Sequence, residues 1–316
     1  MIHIVRQNTE LPKRWRLYQM ANRAIAYCAP VKRLDEFRID DELQELHDLN
    51  IEIEKSQGSK INVEILGLHN SNCVYEEEIT FHNKLRTITA WRSNGLTQID
   101  IDNEPGCNID FEKKRITLLN NKPVDSLFNI ELITGPALIL LLAQQSIFSL
   151  HASAVRITDS QGLPTNVAFI AESGVGKSTL SASVDRCWVQ YSDDILPVSI
   201  SQYACLYNDY PQLKLSNFKV SDKSILNNNL DYLFNISSDV AEGVVIEKLH
   251  AVDAVLTIIR HTVAARLFEP SVMKSHLEFA TTLISKVTVC RISYPRDIKQ
   301  LPMLRKEIMD FVRHNK

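Results

Sequence analysis

The stretch from Val167 to Val184, VAFIAESGVGKSTLSASV, holds residues suited to gripping a polyphosphate. A phosphate is held by backbone N–H groups that converge on its oxygens, helped by the positive end of a helix. Gly174 and Gly176 allow the backbone shapes and close approach such a loop needs. Lys177 is a long cation within reach of outer phosphates, and the Ser178 hydroxyl is a hard oxygen suited to Mg²⁺. NVAFI before the loop and STLSASV after it predict strand, loop and helix. The pattern departs from the usual glycine-first loop at one position, where Ala171 stands. A methyl group is tolerated there if the backbone is relaxed, and costs about 1–3 kcal/mol if φ must be positive. The competing reading is an ordinary serine-rich turn, against which the strand and helix context argues.

Two further groups of residues bear on the same chemistry. YSDDILPV puts Asp193 and Asp194 just past the strand-like CWVQY. If that strand lies parallel to the loop's strand and beside it, its end arrives next to the phosphates. One carboxylate then contacts Mg²⁺, directly or through water, and the other takes the proton of an attacking hydroxyl. In isolation an Asp-Asp pair reads as a surface turn or a helix cap. LHASAV places His151 on the preceding strand, and a lone histidine carries little by itself.

Taken together, LHASAV, AESGVGKST and SDD resemble the catalytic domain of the HPr kinase/phosphorylase family, and more closely its HPr-kinase-like relatives, which include lasso-peptide precursor kinases. DYPQLKLS (209–216), RHTVAARLFEP (260–270) and RISYPRDIKQLP (291–302) resemble later blocks of those relatives, so the likeness covers about residues 130–316. The resemblance implies a phosphoenolpyruvate-carboxykinase-like P-loop kinase domain, of α/β or α+β class, preceded by a β-rich N-terminal domain. It implies ATP and Mg²⁺ as cofactors and a serine on a peptide or protein as acceptor, including a ribosomally made precursor of the lasso type. By motif, Ser173, Gly174, Val175, Gly176, Lys177, Ser178 and Thr179 would hold the phosphates, with Ser178 also on the metal. His151 would neighbour the terminal phosphate. Asp193 would be the base and Asp194 the metal contact, although the two roles are exchangeable. Arg260 and His261 would contact phosphate or substrate. The second glycine-containing signature that accompanies dephosphorylation in the bifunctional enzymes has no counterpart, since Gly243 is the one glycine after Gly176. Neither phosphorylase activity nor HPr as substrate is therefore expected. Two other classes stay open: a nucleotide-gated binding module without transfer, and a kinase of a small hydroxyl metabolite.

The elements that must position these residues are legible in part. Residues 1–128 are expected to form a β-rich domain and 129–316 the catalytic domain. Arg14 to Ala29 has helical periodicity, and NVEILGLH reads as a strand. KLRTITAWRSNGLTQIDID predicts a hairpin around Asn94-Gly95, and NIDFEKKRITLLNN a second pair. A long apolar helix is expected near Ile133 to Gln145. Strands over Phe148–Ile157 and Asn166–Ile170, a helix over Lys177–Asp185 and a strand over Cys187–Tyr191 follow. AVDAVLTII and VTVCRISY read as buried strands, and DIKQLPMLRKEIMDFVRHNK as an amphipathic helix with basic residues at its end.

Bulk properties narrow the partners. A net charge of -3 gives no electrostatic reason for a nucleic-acid partner. Leu127 to Leu150 is the most apolar stretch, but its uninterrupted core is far shorter than the ~20 residues of a membrane span, so a buried helix is expected and no membrane partner. Six scattered cysteines without a C-x-x-C pair suit neither a zinc site nor a disulfide framework and point to the reducing cytoplasm. MIHIVRQNTELPKRW lacks the apolar core of a signal peptide. A homo-oligomer stays open.

Overall fold

A computed structural model of the chain describes residues 16–20, 23–27, 49–55, 72–81, 84–93, 95–159, 161–172, 174–207, 210–211, 228–237, 241–295 and 297–315. The protein is of mixed α+β class, and the chain divides into two compact units between Ile133 and Thr134.

The first unit is built on β1 (Arg16–Met20), β2 (Arg23–Tyr27), β3 (Leu49–Lys55), β4 (Asn72–Phe81), β5 (Lys84–Ser93), β6 (Leu96–Ile101), β7 (Glu104–Asp110) and β8 (Arg115–Leu118). They form one sheet in the order β1-β2-β3-β8-β7-β6-β5-β4, antiparallel except at β2–β3 and β3–β8. Both expected hairpins are present. Ser93 faces Leu96 across a turn in which Gly95 has φ 76°, and β7 returns as β8 with Asp110 facing Arg115. A further tight turn joins β6 to β7 through Asp102 and Asn103, both at positive φ, the shape that two-residue hairpin loops require. Ile88, Ile99, Ile109, Ile116 and Leu118 of this sheet are buried. The helix expected over Arg14 to Ala29 is instead β1 and β2, paired antiparallel with Met20 facing Arg23. Pairing with β3 overrides a weak local helical pattern there. NVEILGLH lies outside the described residues.

Short helices follow: α1 (Leu127–Leu132), capped by the Ser126 hydroxyl, and α2 (Leu138–Ala143). The helix expected near Ile133 to Gln145 is regular only over α2, because its first residues, Ile133–Ala137, form a wider turn in which Gly135 leaves helical geometry (φ -86°, ψ -113°). Pro136 lacks the N–H that would continue the ladder. All of α2 is buried, and among the described residues no helix is long and apolar enough to cross a membrane.

The second unit contains β9 (Ile147–Thr158), β10 (Pro164–Ile170), α3 (Lys177–Ser181), β11 (Trp188–Ser192), β12 (Ile195–Ile200), β13 (Ala204–Leu206), β14 (Tyr232–Ile236), β15 (Val245–Lys248), α4 (Ala251–Arg260), α5 (Pro270–Leu283), β16 (Thr288–Ser293) and α6 (Leu301–His314). The sheet runs β13-β12-β9-β10-β14-β16-β15, and β11 also pairs with β9. The β10, β14 and β16 strands are mutually parallel, whereas β9 is antiparallel to β10, β11 and β12. Phe169, Phe234, Leu304, Ile308 and Val312 meet in the core under α6.

Three expectations change here. AVDAVLTII is helix α4, not a strand: Ala254 and Ile258, four apart, are buried while Val252 and Leu256 are exposed. A short, largely apolar run fits either element, and here the helical period governs. The helix after the loop stops at Ser181, short of Asp185. The strand carrying the acidic pair, β11, is not beside β10: the long β9 lies between them, so β11 runs in the direction of β10 one strand away.

Candidate active site

The register of β9 explains why distant residues meet. Ala152 faces Ile170, the last residue of β10, so His151 stands where the glycine loop begins. On its other side β9 pairs Ala154 with Ser192 and His151 with Ile195. The turn Asp193-Asp194, between β11 and β12, is thereby held at the same end of the sheet, the carboxyl end of β10. Beyond Ile170 the place of β10 beside β9 is taken by residues 261–263: the His151 N–H donates to the His261 carbonyl at 2.8 Å and the Val263 N–H to the Ser149 carbonyl at 2.8 Å.

In the loop itself Gly174 and Gly176 have φ of 81° and 100°, both in the region that favours glycine. Space is open where a Gly174 side chain would project, and one at Gly176 would meet the Tyr294 hydroxyl at 3.6 Å. Ala171 is fully buried and is not at positive φ, so the departure from a leading glycine carries no backbone strain. Val175 is buried against the core and donates its N–H to the Glu172 carbonyl at 3.4 Å. Gly176 caps α3, which opens with Lys177 and the exposed Ser178 and Thr179. Ser173 lies outside the described residues.

Three of the expected side chains meet directly. The Lys177 Nζ is 3.2 Å from His151 Nε2, and the same nitrogen is 3.4 Å from Asp194 Oδ1. One ring nitrogen serves one of these partners at a time. Unprotonated, it accepts from the ammonium of Lys177, and protonated, it donates to Asp194. Lys177 is only 8% exposed, so its charge acts in a site shielded from water.

The two acids differ. Asp193 is buried, and its Oδ1 accepts from the Ser153 hydroxyl at 3.2 Å and the Gln190 amide at 3.1 Å. Gln190 also donates to Ser181 Oγ at 2.8 Å, and Ser181 donates to the Ser178 carbonyl, so Asp193 is wired toward α3. Asp194 is more open and faces His151. Ser153, Gln190 and Ser181 were not singled out in the sequence. The available signal is the pair His151 and Ser153, two apart on a strand and hence on one face of it.

Of the two residues expected from the later block, His261 is brought to the site and buried. Its burial, then the nearby His151, Lys177 and Arg260, push it down to about 4, so it is neutral near pH 7. Arg260 ends α4, is exposed, and joins the group through its charge on His261.

These residues fit a polyphosphate with Mg²⁺. The glycine conformations leave room for oxygens to approach the loop amides, and Lys177 supplies charge. Ser178 and the acidic pair are hard oxygen donors of the kind Mg²⁺ takes together with substrate phosphates. Among the described residues no group of three or more His, Cys, Asp or Glu side chains is placed to hold a metal without such help. No protein-family model matches the chain, and no curated protein matches it.

Proposed function

We propose that the second unit is an ATP-dependent kinase that transfers a phosphoryl group to a serine hydroxyl of a peptide or protein, on a fold of the phosphoenolpyruvate-carboxykinase-like, HPr-kinase-like kind. The observation that carries this reading is the meeting of Lys177, His151 and Asp194 at the mouth of the glycine loop. Phosphoryl transfer needs little from a protein beyond positioning and charge, because the transition state spreads charge over the equatorial oxygens. Backbone amides of residues 174–179 bind the phosphate tail, and Lys177 offsets its charge as the bond to the leaving diphosphate breaks. His151, when it gives up its bond to Lys177, frees that ammonium for the terminal phosphate.

The geometry favours exchanging the roles first expected of the two acids. Asp194 is on the Lys177 and His151 side, where the terminal phosphate would lie, so it takes the serine proton as the new O–P bond forms. Asp193, tied through Gln190 to α3, lies on the Ser178 side, and these two residues would hold Mg²⁺. The ion, when bound there, neutralises charge on the phosphates. The acceptor class, a serine on a ribosomally made precursor peptide, is supported by the likeness to HPr-kinase-like proteins alone.

Radiolabel transfer from ATP to candidate peptides, with nucleotide titration in parallel, tests this. Asp194→Asn should lose at least about 10²-fold in transfer, in line with general-base help of ~10²–10⁴, and keep ATP affinity. Asp193→Asn should lose Mg²⁺-dependent ATP affinity, and Lys177→Ala both functions. Near-normal transfer by Asp194→Asn with complete loss in Asp193→Asn at saturating MgATP would reverse the assignment. Full ATP occupancy without transfer to any peptide would favour a nucleotide-gated binding module, and transfer to free serine alone a metabolite kinase.

A further inference from the structure

Arg305, on α6, reaches the opposite end of α3 from Lys177. Its Nε donates to the Leu180 carbonyl at 3.0 Å, and its Nη2 lies 3.0, 2.9 and 3.2 Å from the carbonyl oxygens of Thr179, Leu180 and Ala182. The guanidinium carbon also stands 5.7 Å from the centre of the Trp188 ring. These contacts join residues 123 to 126 apart in sequence.

The helix it grips cannot hold its own shape. At five residues α3 is below the length at which helical hydrogen bonds outweigh the cost of ordering the chain. Its cap, Gly176, offers no side chain; from within, the Leu180 N–H donates to the Gly176 carbonyl, and the Ala182 N–H and the Ser181 hydroxyl to the Ser178 carbonyl. The following carbonyls would face water or nothing without an outside donor. Arg305 supplies that donor as a planar fork, and its positive charge suits the negative end of a helix. The platform behind it is fixed separately: Leu304, Ile308 and Val312 are buried, and the Tyr232 hydroxyl donates to the Asn315 carbonyl at 2.9 Å.

We infer that Arg305 is a positioning residue for nucleotide binding, clamping the last carbonyls of α3 so that Lys177 and Ser178, in its first turn, point at the phosphates. It touches none of the reacting groups. The inference rests on the phosphate-loop reading of residues 174–179 and deepens it, because it makes α6 part of the nucleotide site.

The test compares the full-length wild type with Arg305→Ala and Arg305→Lys, using MgATP titration and steady-state transfer at varied ATP and varied peptide. For Arg305→Ala the Kd and KM for ATP should rise about tenfold or more, with kcat at saturating ATP within about twofold and the peptide KM unchanged. Arg305→Lys should fall between, since a compact ammonium, with its donors on one nitrogen, replaces a planar fork whose two nitrogens reach three carbonyls. A role in general stability alone would lower kcat through fewer folded molecules and leave the ATP KM where it was, and that outcome overturns the inference. So does ATP binding by Arg305→Ala within twofold of wild type. If Arg305→Ala does not fold, an unaltered ATP KM in Arg305→Lys overturns it equally. A wild type that binds no ATP fails one step earlier, at the phosphate-loop reading, and the clamp falls with it. A wild type that binds ATP without transferring it leaves the Kd comparison as the deciding measurement.

Discussion

Replacing Gly176 with alanine separates the loop's backbone requirement from everything else at the site. Gly176 has φ 100°, ψ 16°, and the added carbon would meet only the Tyr294 hydroxyl, at 3.6 Å, an ordinary contact. The cost is therefore one of backbone conformation. A left-handed conformation costs an ordinary residue about 1–2 kcal/mol, and a φ this far from the left-handed centre near 57° argues for about 2. The unit that carries the loop runs from Thr134 to Lys316. For a domain of that size 1 kcal/mol moves the midpoint by roughly 2–4 °C, so Gly176→Ala should melt about 4–8 °C below wild type. The chain can escape this strain only by turning residue 176 to negative φ, which turns its amide away from the loop. Melting with and without MgATP detects both routes, since saturation at about 100 times Kd stabilises by about 2.7 kcal/mol. The expected result is a lowered Tm, a lost ATP-induced shift, or both. Gly243→Ala is the control: it has neither positive φ nor a neighbour within 4 Å, and should stay within about 0.5 kcal/mol of wild type. A Gly176→Ala protein with the Tm and the ATP shift of wild type would refute the reasoning.

Acid should weaken the second unit through His261. Folded, it titrates near 4 rather than its ordinary 6.5, so below 6.5 the unfolded chain binds a proton that the folded one refuses. Stability is then complete above about pH 6.5, falls as pH drops toward 4, and levels off below it. With solvent screening the loss should be about 1–2 kcal/mol, and denaturant titrations from pH 7 to 4 should show a shallower fall for His261→Asn. Restoring the leading glycine of the loop, Ala171→Gly, should lower stability by about 0.5–1 kcal/mol, because Ala171 is buried and already relaxed. Its ATP affinity should stay within about twofold of wild type, and a tightened affinity would show that the methyl group does obstruct the loop.

Much of the local structure was legible from residue types. Asn94-Gly95 between alternating runs marks a hairpin because few other pairs tolerate that turn, and β5 and β6 meet across it. The amphipathic period of the last segment reads directly as α6. AVDAVLTII does not declare its element, because a short, largely apolar run suits a buried strand and a helix equally, and exposure of Val252 and Leu256 is a tertiary fact. Arg14 to Ala29 does not show its strands locally because the pairing that fixes β2 is supplied by β3, further along the chain.

The sequence by itself determined which groups are available for chemistry: glycines that tolerate positive φ, a lysine and a serine opening a helix, two adjacent carboxylates and a histidine. Those properties belong to single residues or short windows, so they survive without any knowledge of the fold. Which of them meet was decided only by the tertiary structure. The insertion of β9 between β10 and β11 brings His151 to Lys177 and Asp194, points Asp193 toward α3 through Gln190, and leaves α3 to be gripped by Arg305. Strand order and register are set by packing summed over the whole sheet, and no local stretch encodes that sum.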